Sequence, residues 1–146
     1  MTKLAICMDL KIILTKRWFI FFLLLFVVWY IVTFCLVTVY GIFPHPLFLL
    51  AGNMFTPLWI FLISYLYFRR THNDWPARFV TAIGWMVLVF VFAALLSEPV
   101  YGASWTGIFT WNVIDANWIN AVAILMGGVA SHRSVSTNVS VEDHTP

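Results

Sequence analysis

Charge is what this sequence has least of. Charged residues make up 10% of its 146 positions, against about 25% in a soluble domain, so the chain cannot cover a water-facing surface. The net charge of +2 is too small to attract nucleic acid, and no such partner is expected. Cysteine is nearly missing. Cys7 lies near the N-terminus and Cys35 inside an apolar run, at different depths of the topology drawn below, which argues against a disulfide. No metal-ligand spacing involves them, and the chain has neither a phosphate loop nor a dinucleotide fingerprint. No cofactor or metal is therefore expected. A CxxC pair, an acidic residue in the first apolar run and a basic-acidic catalytic set are lacking too.

What the chain does have is apolar length. Hydrophobic residues are 62% and mean hydropathy is +0.93, values that belong to an integral membrane protein. By length it is one domain. The spans expected are about 18–40, 46–68, 77–96 and 106–130, each near the ~20 residues a bilayer requires. The first is too long for a secretory signal core and no A-x-A-like cleavage site follows it, so it reads as an uncleaved helix. Before it, residues 1–17 mix Lys3, Lys11, Lys16 and Arg17 with leucine and isoleucine, as an interfacial helix would or a frayed tail. GIFPHP at 41–46 marks a tight turn. Pro57 in the second span frees the carbonyl of Asn53 and predicts a kink there. Residues 97–105 read as a loop opened by Glu98 and Pro99, and 131–146, rich in Ser, Thr and Asn, as a disordered tail. The fold expected is an all-α integral membrane protein, an antiparallel bundle of four transmembrane helices.

Orientation follows from the basic residues. All eight, Lys3, Lys11, Lys16, Arg17, Arg69, Arg70, Arg78 and Arg133, fall on one side of a four-span topology, which makes both termini cytoplasmic. The protein then reads as a multi-pass component of the cell membrane, of the bacterial inner-membrane kind. The sequon at Asn138 would lie on the cytoplasmic side, beyond reach of glycosylation.

The residues with most chemical promise lie in the last apolar region. At helical spacing Asn112, Asp115, Ala116, Asn120, Ala123 and Gly127 share a face about 140° wide, opposite Trp111, Trp118 and Leu125. Small and polar residues on one face turn it towards protein. Asp115 is the only acidic residue inside an apolar span. With Asn112, Asn120 and Asn53 it forms a candidate intramembrane polar cluster, and Thr33 lies at a similar level. Three readings apply: interhelical glue, a wet position near the headgroups if the helix starts late near Trp111, or a proton or cation site. Ala123 and Gly127, continued by Ser131, form a small-residue packing face, either internal or towards a second copy. Arg69, Arg70 and Arg78 are candidates for anionic-lipid contact, or simple topogenic charge. His45, His72, His132 and His144 have no spacing that suits a metal. The function expected is that of a non-enzymatic accessory or structural membrane component, partnered by the bilayer and by another membrane protein or itself. The competing readings are a small homo-oligomeric transporter or channel using Asp115 and, further off, a lipid-modifying enzyme.

Overall fold

The computed structural model describes residues 15–71, 73–102 and 104–142; the side chains of Tyr101, Ile108, Asn112, Ala116 and 132–142 lie outside that description. The interfacial helix expected over 1–17 falls almost wholly outside it as well. Four helices are long and apolar enough to cross a membrane, and no strand occurs among the described residues. They are α1 (Lys16–Ile42), α2 (Pro46–Phe68), α3 (Trp75–Tyr101) and, after a 3-10 turn (Trp105–Phe109) and the short α4 (Trp111–Ala116), α5 (Trp118–Glu142).

Each of the first three helices starts on a polar cap followed by residues that suit a first turn. The Thr15 hydroxyl accepts from the Trp18 amide at 3.3 Å. His45 Nδ1 accepts from Leu47 N at 3.3 Å, with Pro46 as the first helical residue. Asp74 accepts from Ala77 N at 3.0 Å, with a proline in the first turn. Such caps satisfy amides that have no partner inside the helix, and proline is at home there because its missing N–H would be unpaired anyway. α3 therefore begins before Ala77 and also runs past Leu96. Its last turn contains Pro99 and closes on Gly102 at φ 63°, whose amide bonds Glu98 O at 3.0 Å. A left-handed residue of this kind ends a helix best as glycine. Residues 97–101 are thus the last turn of α3 and not a loop. Pro57 sits inside α2, which is continuous from Pro46 to Phe68.

Many large apolar residues face outwards, while several small and polar ones are buried beside an aromatic core. Leu58, Ile83 and Leu95 are all more than 60% exposed, whereas Ser64, Arg78, Thr81, Ser97, Asn120 and Ser131 are buried. In a hydrocarbon solvent, helix association rests on close packing and polar contacts of this kind. The core lies towards one end. Trp18, Phe22, Leu25 and Phe26 of α1 repeat at helical spacing and pack with Ile63, Tyr67 and Phe68 of α2 and Ala82 and Trp85 of α3. The Trp18 and Trp85 rings lie 6.2 Å apart and Tyr67 stands 5.4 Å from Trp85. Indole hydrogen bonds cross between helices: Trp18 Nε1 donates to Thr81 Oγ1 (3.3 Å), Trp29 Nε1 to Thr56 Oγ1 (3.2 Å) and Trp59 Nε1 to Leu25 O (3.1 Å). A Cβ on Gly84 would stand 2.7 Å from the Trp18 ring, so glycine there lets α1 and α3 approach.

The last apolar region is broken where a single span was expected. Asn117 adopts φ −94°, ψ 0°, its amide bonds Ile114 O at 3.1 Å, and its side chain donates to Val113 O at 2.7 Å. An asparagine side chain that competes for backbone groups in this way favours a turn over a continuous helix. The apolar stretch runs over Val113–Ser131, and the helical backbone continues to Glu142.

Candidate functional site

At the core end, short connections bring the polar residues of the helix ends together. Arg17 donates to Arg70 O at 3.2 Å, which joins the start of α1 to the end of α2. More deeply placed is Arg78, only 6% exposed. Its Nε donates to Asn73 Oδ1 at 2.8 Å and its Nη2 to Asn73 O at 3.2 Å, and its guanidinium lies 4.8 Å from the Trp75 ring centre. The Asn73 amide group turns the other way, donating to Gly128 O at 2.9 Å and Ser131 Oγ at 2.7 Å. Ser131 Oγ in turn donates to Gly128 O at 2.8 Å. Asn73 is thus a two-sided clasp, accepting from a cation on α3 and donating to α5.

Gly128 is part of the same device, since a Cβ there would lie 3.0 Å from both Cγ and Cδ of Arg78. Beginning at the adjacent Gly127, the small-residue face is used inside the chain. A Cβ on Gly127 would stand 2.7 Å from Ser64 Cβ, 2.8 Å from Phe61 O and 2.9 Å from Tyr65 N, and Ala123 is 9% exposed. Of the two readings of Ala123 and Gly127, the structure gives internal packing of α5 on α2; this stripe is not free to serve a second copy.

The four-residue polar cluster drawn from Asp115, Asn112, Asn120 and Asn53 is not assembled. Asn120 is buried and its Nδ2 donates to Asn117 Oδ1 at 2.7 Å. Asp115 lies in α4 and is exposed; at about 100° per residue it stands about 140° from Asn120 and falls with the exposed Ile119, Val122 and Met126. Asn53 is exposed too; with Thr33 it lines a cavity of about 170 Å³ between α1 and α2, which shares Trp29 and Thr56 with the cavity that Asn120 lines, and Asp115 lines neither. The Asn112 side chain is outside the described residues. Asn117, which flanked the cluster in the sequence, is the partner Asn120 takes.

The three arginines also divide. Arg69 and Arg70 are exposed at the end of α2, while Arg78 is buried in the clasp. Sequence reasoning missed Asn73, which sits in the segment RRTHNDWPAR. Asp74 with Pro76 signals a helix start there, and that signal would have placed Asn73 at the bundle end. Among the described residues no three of His, Cys, Asp and Glu gather as a metal site would need.

Since Asp115 is exposed and on the far side of a helix break, Asp115→Asn should change stability by less than about 0.5 kcal/mol, as for an ordinary surface substitution. Thermal unfolding of the purified protein checks this; a loss of several degrees would mean that the carboxylate holds the bundle. No family model, curated protein or solved structure matches this chain.

Proposed function

We propose that the protein is a non-enzymatic accessory or structural component of the cell membrane, crossing it four times with both termini in the cytoplasm. The observation that carries this reading is the use of the buried polar groups. Arg78, Asn73 and Ser131 tie helix ends to one another, and the Trp18–Thr81 and Trp29–Thr56 bonds cross between helices. Interhelical polar contacts of this kind hold membrane bundles together. Arg17, Arg69, Arg70 and Arg78 gather at one end, which supports a cytoplasmic location for it by the positive-inside rule. There the exposed Arg69 and Arg70 are placed to meet anionic headgroups. The outward apolar residues meet lipid or a partner's helices.

The transporter reading needs Asp115 and Asn53 on a common path, and the cavities lined by Asn53 and by Asn120 do not take in Asp115, which speaks against it. Native mass spectrometry after gentle detergent extraction from the native membrane tests the proposal. A different membrane protein held at fixed stoichiometry is the expected result. A homo-oligomer that conducts protons or cations after reconstitution, and loses that flux with Asp115→Asn, would replace this reading with the transporter.

A further inference from the structure

Away from the clasp, the four long helices leave a cavity of about 210 Å³. Leu25 and Trp29 of α1, Thr56 and Ile60 of α2, Phe90 of α3 and Asn120 of α5 contribute to its wall. Asn120 is 8% exposed and its Oδ1 is buried with no hydrogen-bond partner. The orientation of its amide is set by its neighbour. Asn117 spends its Nδ2 on Val113 O, so its Oδ1 faces Asn120 and accepts from Asn120 Nδ2. What Asn120 has left is a carbonyl oxygen. A buried acceptor without a donor is costly, and a native site of this kind calls for a partner.

Water alone is a poor occupant. The space is large enough for several waters, but a buried water needs two to four polar partners. Beyond the asparagine pair, the polar side chains of the wall among the described residues are Thr56 and Trp29, and these are already engaged: the Thr56 hydroxyl donates to Gly52 O and accepts from Trp29 Nε1. The cavity also shares Met86, Phe90 and Asn117 with a groove of about 460 Å³ between α3 and the start of α5, lined further by Ile83, Val87 and Trp118. Among the described residues no charged side chain lines either space. An apolar pocket with one placed polar group is the usual form of a small-molecule site.

We infer that the cavity and groove bind an uncharged lipid-like molecule, whose single hydroxyl donates to Asn120 Oδ1 while its hydrocarbon body lies along Met86 and Phe90. The absence of charge in the walls excludes a phosphorylated headgroup from the pocket. The groove supplies a lateral way in, between α3 and α5. Asn117 acts as a positioning residue, because its own hydrogen bonds turn the Asn120 acceptor towards the ligand. The inference concerns the interior of one chain and stands apart from whether the protein has a protein partner.

A photoactivatable long-chain alcohol and its methyl ether, which lacks the donor, give the test. Both are added to the full-length protein in detergent, and the labelled peptides are mapped. The alcohol should label residues 86–93 and 113–120 about threefold to tenfold more than the ether, the ratio expected of one net hydrogen bond. Asn120→Leu should bring that ratio to one. If Asn120→Leu does not fold, Ala93→Leu decides the matter, since it fills the cavity with the asparagine pair intact and should lower labelling by the alcohol. Equal labelling by alcohol and ether in the wild type, as a water-filled or empty cavity would give, overturns the inference. So does a preference that survives in folded Asn120→Leu, or label spread evenly over outward residues such as Leu58 and Leu95.

Discussion

Gly127→Leu is expected to force α5 off α2 and to destabilise the protein by about 3 kcal/mol, the upper range for overpacking a filled interior. Even the first added carbon would sit 2.8 Å from Phe61 O and 2.9 Å from Tyr65 N. Both are backbone atoms of a continuous helix, so no rotamer change relieves the contact, and the helices must separate along their length. The consequence reaches further than the site itself. The fully buried Ser64 meets the same position, its Cβ 2.7 Å away, and the clasp at Asn73 depends on where α5 holds Gly128 and Ser131. Gly107→Ala is the control: nothing lies within 4 Å of a Cβ there, and its effect should stay within about 0.5 kcal/mol. Reversible unfolding in mixed micelles, followed by tryptophan fluorescence, compares the two. Wild-type stability of Gly127→Leu would show that α2 and α5 do not pack this closely.

The second large effect concerns the clasp, and its ranking is counter-intuitive. Asn73→Leu should cost about 3 kcal/mol, more than the about 1–2 kcal/mol expected for Arg78→Met, although arginine carries the charge. Losing the Asn73 side chain removes the acceptor at 2.8 Å from Arg78 Nε, so a buried cation is left short of a partner. It also removes both donations to α5, at 2.9 and 2.7 Å. Losing the arginine head leaves those two bonds in place. The double variant should then cost no more than Asn73→Leu alone, since once Asn73 is gone the cation has become part of the problem. Residues in one network are coupled in this way. Simple addition of the two single effects in the same unfolding assay would mean that Arg78 and Asn73 act independently.

How much of this was legible beforehand depended on whether a local signal existed. Four long apolar helices follow from run length alone. The start of α2 is written in Pro46 and its end in Arg69 and Arg70. The extent of α3 needed more, because Asp74 as a cap and Gly102 as a left-handed terminus together extend it beyond the apolar run and accommodate Pro99. The break at Asn117 had no signal in hydropathy. It arises from a side chain competing with its own backbone. Asp115 stood at the edge of the face drawn for the cluster, about 140° from Asn120, and falls with the exposed Ile119, Val122 and Met126. Asn120 was singled out by that spacing and is buried, but its partner is Asn117 and neither Asn53 nor Asp115. Arg78 read as one of three equivalent basic residues. What separates it from Arg69 and Arg70 is its local contact with Asn73, five positions away; what buries that pair is Asn73's bond to Gly128, 55 positions on, and a contact of that range has no periodicity to betray it.

The most direct test of the whole account is the membrane topology of the intact chain, with reporters placed in turn at Thr71, next to the arginine end, and at His45 and Gly102, at the opposite end. A reporter at Thr71 in the cytoplasm, with those at His45 and Gly102 on the other side, is the predicted result. Thr71 outside, or all three positions on one side, would contradict a four-span bundle held with its arginine end in the cytoplasm.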